Sequence, residues 1–123
     1  MLNELAKEIH QNAVDHGWWE KEREFGSLIA LMHSELSEAL EEYRSKKPEA
    51  YGRCKRCGAE VTVLGLDCCH EAMKPEGIAI ELADCIIRIL DYCGKEGIDI
   101  EEAIRIKHEY NKSRPYRHGG KQI

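Results

Sequence analysis

Apolar residues recur along most of the chain at the three- and four-residue intervals of a helix rather than the two-residue interval of a strand. Leu2, Leu5, Ile9 and Ala13 trace one amphipathic face, which the polar, tryptophan-bearing stretch DHGWWE at 15–20 interrupts. A second helix is predicted over 25–45, with Pro48 closing it. A third starts after Pro75 and runs to Cys93, where Gly94 supplies the expected stop. Ile98 and Asp99 open a fourth; Asp99 followed by Glu102 has capping-box spacing, and Ile100, Ala103 and Ile104 form its inward face. The joints are short except between the second and third helices, where 49–74 breaks the pattern and reads as an insertion. The expectation is an all-α four-helix bundle, a single domain over 1–123, carrying a small cysteine-rich insertion.

Carboxylates complicate that pattern. At roughly 100° per residue, Leu28, Leu31, Met32 and Ala39 share a helix face that also holds Glu35, with Glu38 at its edge and Glu42 a turn further on. On the third helix Ile78, Leu82, Ile86, Ile89, Leu90 and Cys93 cover more than half the circumference, which marks a central helix. Its polar residues Glu81, Asp84, Arg88 and Asp91 gather in one stripe. An ionised carboxylate among apolar groups is costly unless a cation or hydrogen bonds compensate it. Two helices with carboxylates at i, i+3 bring four such groups together, and hard oxygen donors suit Mg²⁺ or Mn²⁺ rather than zinc. Glu35, Glu38, Glu81 and Asp84 are therefore candidate metal ligands. The competing reading is a pair of solvated stripes or interhelical ion pairs, the usual fate of a single E-x-x-E. A di-iron bundle requires Glu-x-x-His pairs, and neither Glu35 nor Glu81 has a histidine three residues on.

Composition narrows the compartment and the partners. With 123 residues the chain fits one domain, and 18 Lys+Arg against 23 Asp+Glu argues against a surface built to coat nucleic acid. No apolar run reaches the roughly 18 residues of a membrane span, and the N-terminal stretch lacks a basic segment followed by an apolar one. A cytoplasmic location is expected, so the six cysteines point to metal binding or burial rather than disulfides. Cys54-x-x-Cys57-Gly58 has the form of a zinc knuckle, and Cys68, Cys69 and His70 follow a potential hairpin strand, AEVTV. Structural Zn²⁺ on Cys54, Cys57, Cys68 and His70 is the expected arrangement, with Cys69 the alternative ligand. A redox dithiol or unligated thiols are the competing readings. Cys85 and Cys93, on the third helix, read as small buried apolar residues.

The segments SELSEALEEYR and ELADCIIRILDYCG resemble the E-x-x-E and E-x-x-D motifs of the MazG-like all-α nucleoside triphosphate pyrophosphohydrolases, which include dimeric dUTPases, dCTP pyrophosphatases and phosphoribosyl-ATP pyrophosphohydrolase. The likeness covers nearly the whole chain apart from the insertion and extends to the tail KHEYNKSRPYRHGGK. It implies Mg²⁺-dependent hydrolysis of a nucleoside or deoxynucleoside triphosphate to the monophosphate and pyrophosphate, in nucleotide-pool housecleaning or phage nucleotide metabolism. Glu35, Glu38, Glu81 and Asp84 then correspond to the magnesium ligands, with Glu38 also taken as acceptor of the water proton. Lys107, Asn111 and Arg114 match the phosphate-binding motif, to which Arg117, His118 and Lys121 add or are simply a basic tail. His10 and Trp19 resemble the residues that hold the base; the alternative has a tryptophan plugging the bundle and His10 on the surface. The resemblance also implies a homodimer or homotetramer, with no membrane and no stable nucleic-acid partner. No G-x-x-x-x-G-K-[ST] loop is present, which excludes a P-loop mechanism. The rival from another class is a non-catalytic zinc-containing module binding protein or nucleic acid on a dimeric helical scaffold.

Overall fold

The computed structural model describes residues 1–61 and 73–116, so Cys68, Cys69 and His70 of the expected zinc set, and Arg117, His118 and Lys121 of the tail, lie outside the described residues. Four helices carry most of the structure: α1 (Leu2–Asp15), α2 (Phe25–Arg44), α3 (Ile78–Glu96) and α4 (Ile100–Ser113). Between α2 and α3 lie three short strands, β1 (Tyr51–Cys54), β2 (Glu60–Val61) and β3 (Met73–Glu76). They form an antiparallel sheet in the order β2-β1-β3, with Tyr51 opposite Glu76, Arg53 opposite both Lys74 and Glu60, and Cys54 opposite Met73. The sequence led us to expect only one hairpin strand in the insertion; β2 lies in that stretch.

Helix boundaries follow local chemistry. Asp99 caps α4, its side chain accepting from the Glu102 amide at 3.0 Å. Glu102 turns instead to Arg105, so the expected box is half made. The stop expected at Gly94 falls three residues later. Gly97 takes the left-handed conformation, φ +68°, and the Ile98 amide donates to the Cys93 carbonyl at 3.0 Å, the bond of a Schellman end. Gly94 is instead a contact residue: a β-carbon there would meet the Ala6 carbonyl oxygen at 2.5 Å and His10 Cβ at 2.8 Å.

The chain divides into two compact units, Trp19–Ile89 and a second made of Met1–Trp18 with Leu90–Ile123, the division falling within α3. In the second unit Ala6, Leu90 and Cys93 are buried, with Leu2, Ile9 and Ile100 packed against them. Of the expected inward face of α4 only Ile100 takes part, for Ala103 and Ile104 are exposed. In the 19–89 unit the buried side chains are Leu28, Ala39, Tyr51, Cys54 and Cys85, together with Glu35. The wheel reading of α2 therefore holds at Leu28, Glu35 and Ala39. The central-helix expectation for α3 does not hold within one chain, since Leu82, Ile86, Ile87 and Ile89 are exposed. No helix among the described residues is long and apolar enough to cross a membrane.

Candidate metal centre

α2 presents Glu35 and Glu38 one turn apart, and α3 presents Glu81, Asp84 and Arg88 along its polar stripe. One oxygen from each of Glu35, Glu38 and Glu81 lies within 4.8 Å of the other two. Glu35 is buried, Glu81 half-buried and Glu38 exposed, so the group opens to solvent on one side. Oε2 of Glu81 is buried without a hydrogen-bond partner. Such an atom is rare in folded proteins, because losing water without a replacement is costly. Asp84, the fourth expected ligand, does not join this convergence and stands half-buried nearby.

The charges of the group are set unequally. Burial opposes ionisation of Glu35, but Arg88 Nε donates to its Oε1 at 2.7 Å and holds the carboxyl below its ordinary range. No cation among the described residues pairs with Glu81; burial first, then the neighbouring Glu38 and Glu35 and the charge of Asp84, push it up to about 8. Asp84 is also raised, by burial and the charge of Glu35, with Arg88 and Lys74 acting against that. A divalent cation between these oxygens would satisfy the orphaned atom and remove the mutual repulsion. The donor set is all oxygen, which fits Mg²⁺ or Mn²⁺.

A cleft of about 410 Å³ opens from this centre. Glu38, Glu41, Glu42 and Glu81 line it from the helices; Tyr51, Arg53 and Lys74 line it from the sheet, with Lys47 from the preceding turn. Tyr51 is buried, and its hydroxyl stands 3.0 Å from Glu42 Oε2 and 3.1 Å from Glu76 Oε2. Burial pushes the phenol up to about 12, with the two carboxylates reinforcing this and Arg53 opposing it, so it stays a donor. Burial also works against ionisation of Glu76, which Tyr51, Lys74 and Arg53 nevertheless keep ionised below the usual range.

In the insertion, Cys54 is buried and Cys57 exposed, on either side of a turn that Gly58 closes at φ +76°. The Arg56 amide points at Cys54 Sγ, 3.4 Å away, a donor that favours a thiolate. The remaining expected sites belong to the other unit or border it. His10 Nδ1 lies 2.8 Å from Asp91 Oδ1, and Trp19 is half-buried just beyond the turn that ends α1. Lys107 and Asn111 are exposed on α4; Lys107 Nζ and Arg114 Cζ lie 4.8 and 5.5 Å from the centre of the Tyr110 ring.

No protein-family model, curated protein or solved structure matches the chain. Sequence reasoning placed Arg88 in the right stripe yet gave it no role. Its signal was there: Arg88 is seven residues from Glu81 in a stripe whose other residues, Glu81, Asp84 and Asp91, are all acidic. The cleft wall of Tyr51, Arg53 and Lys74 went unread, because a four-residue strand leaves too few positions for a period-two pattern to show.

Proposed function

We propose that the protein is a divalent-cation-dependent nucleoside triphosphate pyrophosphohydrolase of the MazG-like kind. The observation that carries this reading is the convergence of one oxygen each from Glu35, Glu38 and Glu81 within 4.8 Å, together with a buried Glu81 oxygen that has no hydrogen-bond partner among the described residues. Glu35, Glu38 and Glu81 would hold Mg²⁺ or Mn²⁺, with Asp84 contributing charge beside them. When bound, the ion supplies charge neutralisation for the phosphate oxygens and acidifies water for attack.

The chain's own residues divide the remaining work. Arg88 keeps Glu35 ionised, so one ligand is always ready. Glu81, pushed up to about 8, would ionise at lower pH beside a bound cation, and until then its proton limits the negative charge of the group. Glu38, the most exposed of the three, faces the cleft and would take the proton of the attacking water. Lys107, Asn111 and Arg114 would bind phosphate oxygens, His10 and Trp19 the base, and a structural Zn²⁺ on Cys54, Cys57 and the Cys68–His70 group would brace the insertion. A second copy of the chain would cover the exposed apolar stripes of α2 and α3.

The test is pyrophosphate release across a panel of nucleoside triphosphates with Mg²⁺. Glu38→Gln and Asp84→Asn are each expected to lower the rate by about a hundredfold or more, with the helical circular dichroism unchanged. Full activity in either variant, or in the chelated protein, overturns the scheme. Inactivity on every nucleotide combined with tight binding of a macromolecule would return the non-catalytic module.

A further inference from the structure

The cleft beside the carboxylate centre has two unlike walls. From the helices come four carboxylates, Glu38, Glu41, Glu42 and Glu81; opposing them are three cations, Lys47, Arg53 and Lys74. Strand pairing explains the second wall. Residues opposite one another in a sheet point to the same face, and alternate residues share it. Tyr51 and Arg53 of β1, Lys74 and Glu76 of β3, and Glu60 of β2 therefore occupy one face, whereas Cys54 belongs to the other. The insertion thus turns an ionic face to the cleft and its knuckle cysteine away from it.

The cations of that face are not equally committed. Arg53 donates through Nε to Glu76 at 3.1 Å and reaches Glu60 at 3.3 Å, so it is fixed in place. Lys74, with 62% of its side chain exposed, makes a long 3.4 Å pair with Glu76 as its one ion pair among the described residues. Lys47, about one-third exposed, donates at 3.0 and 3.2 Å to the two oxygens of the equally exposed Glu60. Exposed pairs of this kind contribute little and exchange readily for a stronger anion. Lys74 lines the same cleft as Glu38 and Glu81 of the carboxylate centre.

We infer that the insertion's sheet is the polyanion-binding wall of the cleft, with Lys74 and Lys47 contacting the phosphate chain of the substrate and Arg53 positioning the wall through Glu76. This rests on the reading that the carboxylates hold a divalent cation, since four acidic groups against three cations would otherwise repel a phosphate chain. It adds to Lys107, Asn111 and Arg114 a second set of phosphate contacts that the sequence did not mark. It also gives the insertion a task at the site, with its cysteine turn bracing the strand that carries Arg53.

The experiment uses the full chain and inorganic tripolyphosphate as probe, titrated calorimetrically in the presence of Mg²⁺. Lys74→Ala and Lys47→Ala are each expected to weaken binding about tenfold, the value of one charge-assisted contact. Lys74→Arg should restore most of the affinity. In turnover, KM for the nucleotide should rise by a similar factor with kcat nearly held, as loss of uniform binding requires. A parallel Mn²⁺ titration without polyphosphate separates the two readings. Unchanged Mn²⁺ binding in both lysine variants, with weaker tripolyphosphate binding, supports the proposal. Tripolyphosphate affinity unchanged in both variants, or absent from the natural protein, overturns it while the Mn²⁺ titration reports independently on the carboxylates. Lysine-dependent tripolyphosphate binding in a protein that takes up no Mn²⁺ overturns the metal reading and, with it, the premise on which the wall was argued.

Discussion

Arg88 and Glu81 decide how the carboxylate group behaves at the scale of single residues. Replacing Arg88 by Met leaves Glu35, with 8% of its side chain exposed, without its cation. The expected cost is about 2 kcal/mol in chemical denaturation, below that of a fully buried pair because Arg88 itself is 29% exposed. A double-mutant cycle with Glu35→Gln should recover much of it. Protonation gives a separate handle. Because folding raises Glu81 from an ordinary 4.5 to about 8, its neutral form stabilises the metal-free fold fully below pH 4.5, and that contribution fades as pH climbs through about 8. Glu35, lowered by Arg88, contributes above pH 4.5 and loses its contribution only as pH falls. Between pH 5 and 8 the Glu81 effect dominates, so Tm of the metal-free protein should decline over that range and Mg²⁺ should restore more of it at pH 8 than at pH 5. Glu81→Gln should flatten the decline and abolish the Mg²⁺ response; a steep decline persisting in that variant would assign the effect elsewhere. The inward aim of Glu35 was readable from helical spacing. Its pairing with Arg88 was not, since it joins residues 53 apart and depends on how two helices meet.

Elements show the same division between local and distant causes. The start of α4 was legible because a cap is made by neighbours in sequence; Asp99→Ala should cost about 1 kcal/mol. The end of α3 was misread at Gly94 because two glycines lie three residues apart, and only packing against α1 tells them apart. Substitution by alanine distinguishes their roles. At Gly97, where nothing lies within 4 Å of a β-carbon, the left-handed backbone alone is strained, and about 1 kcal/mol is expected. At Gly94 the new methyl collides with backbone, and a loss of about 3 kcal/mol is expected, read by thermal melting. Equal losses at the two positions would show that the α1 contact yields freely. Strands β1 and β3 escaped notice for a different reason: each is four residues long and one contains Pro75, so neither propensity nor alternation marks them.

For the whole molecule, what stays exposed carries as much information as what is buried. Leu36, Leu40 and Tyr43 on α2, and Leu82, Ile86 and Ile89 on α3, each repeat at four- and three-residue intervals and remain open in one chain. Sequence periodicity marked the α3 stripe as apolar but passed over the one on α2, and periodicity alone does not say what covers an apolar face. Sedimentation should find a homo-oligomer, and Leu40→Glu or Ile86→Glu should shift it to monomer with a lower melting temperature. Elemental analysis of protein purified without chelators should find one zinc per chain, lost in Cys54→Ser. The ends of the insertion carry a last consequence. The Ala79 amide bonds the Glu49 carbonyl at 3.0 Å, and Gly77, at φ +114°, has no room for a side chain because Ala50 Cα would lie 2.9 Å from its β-carbon. Departure and return of the chain thus share a single doorway, with Tyr51 of β1 tying the strands back to Glu42 of α2. A short glycine bridge across that doorway should leave the helical circular dichroism of the carboxylate helices in place while removing the cationic wall of the cleft.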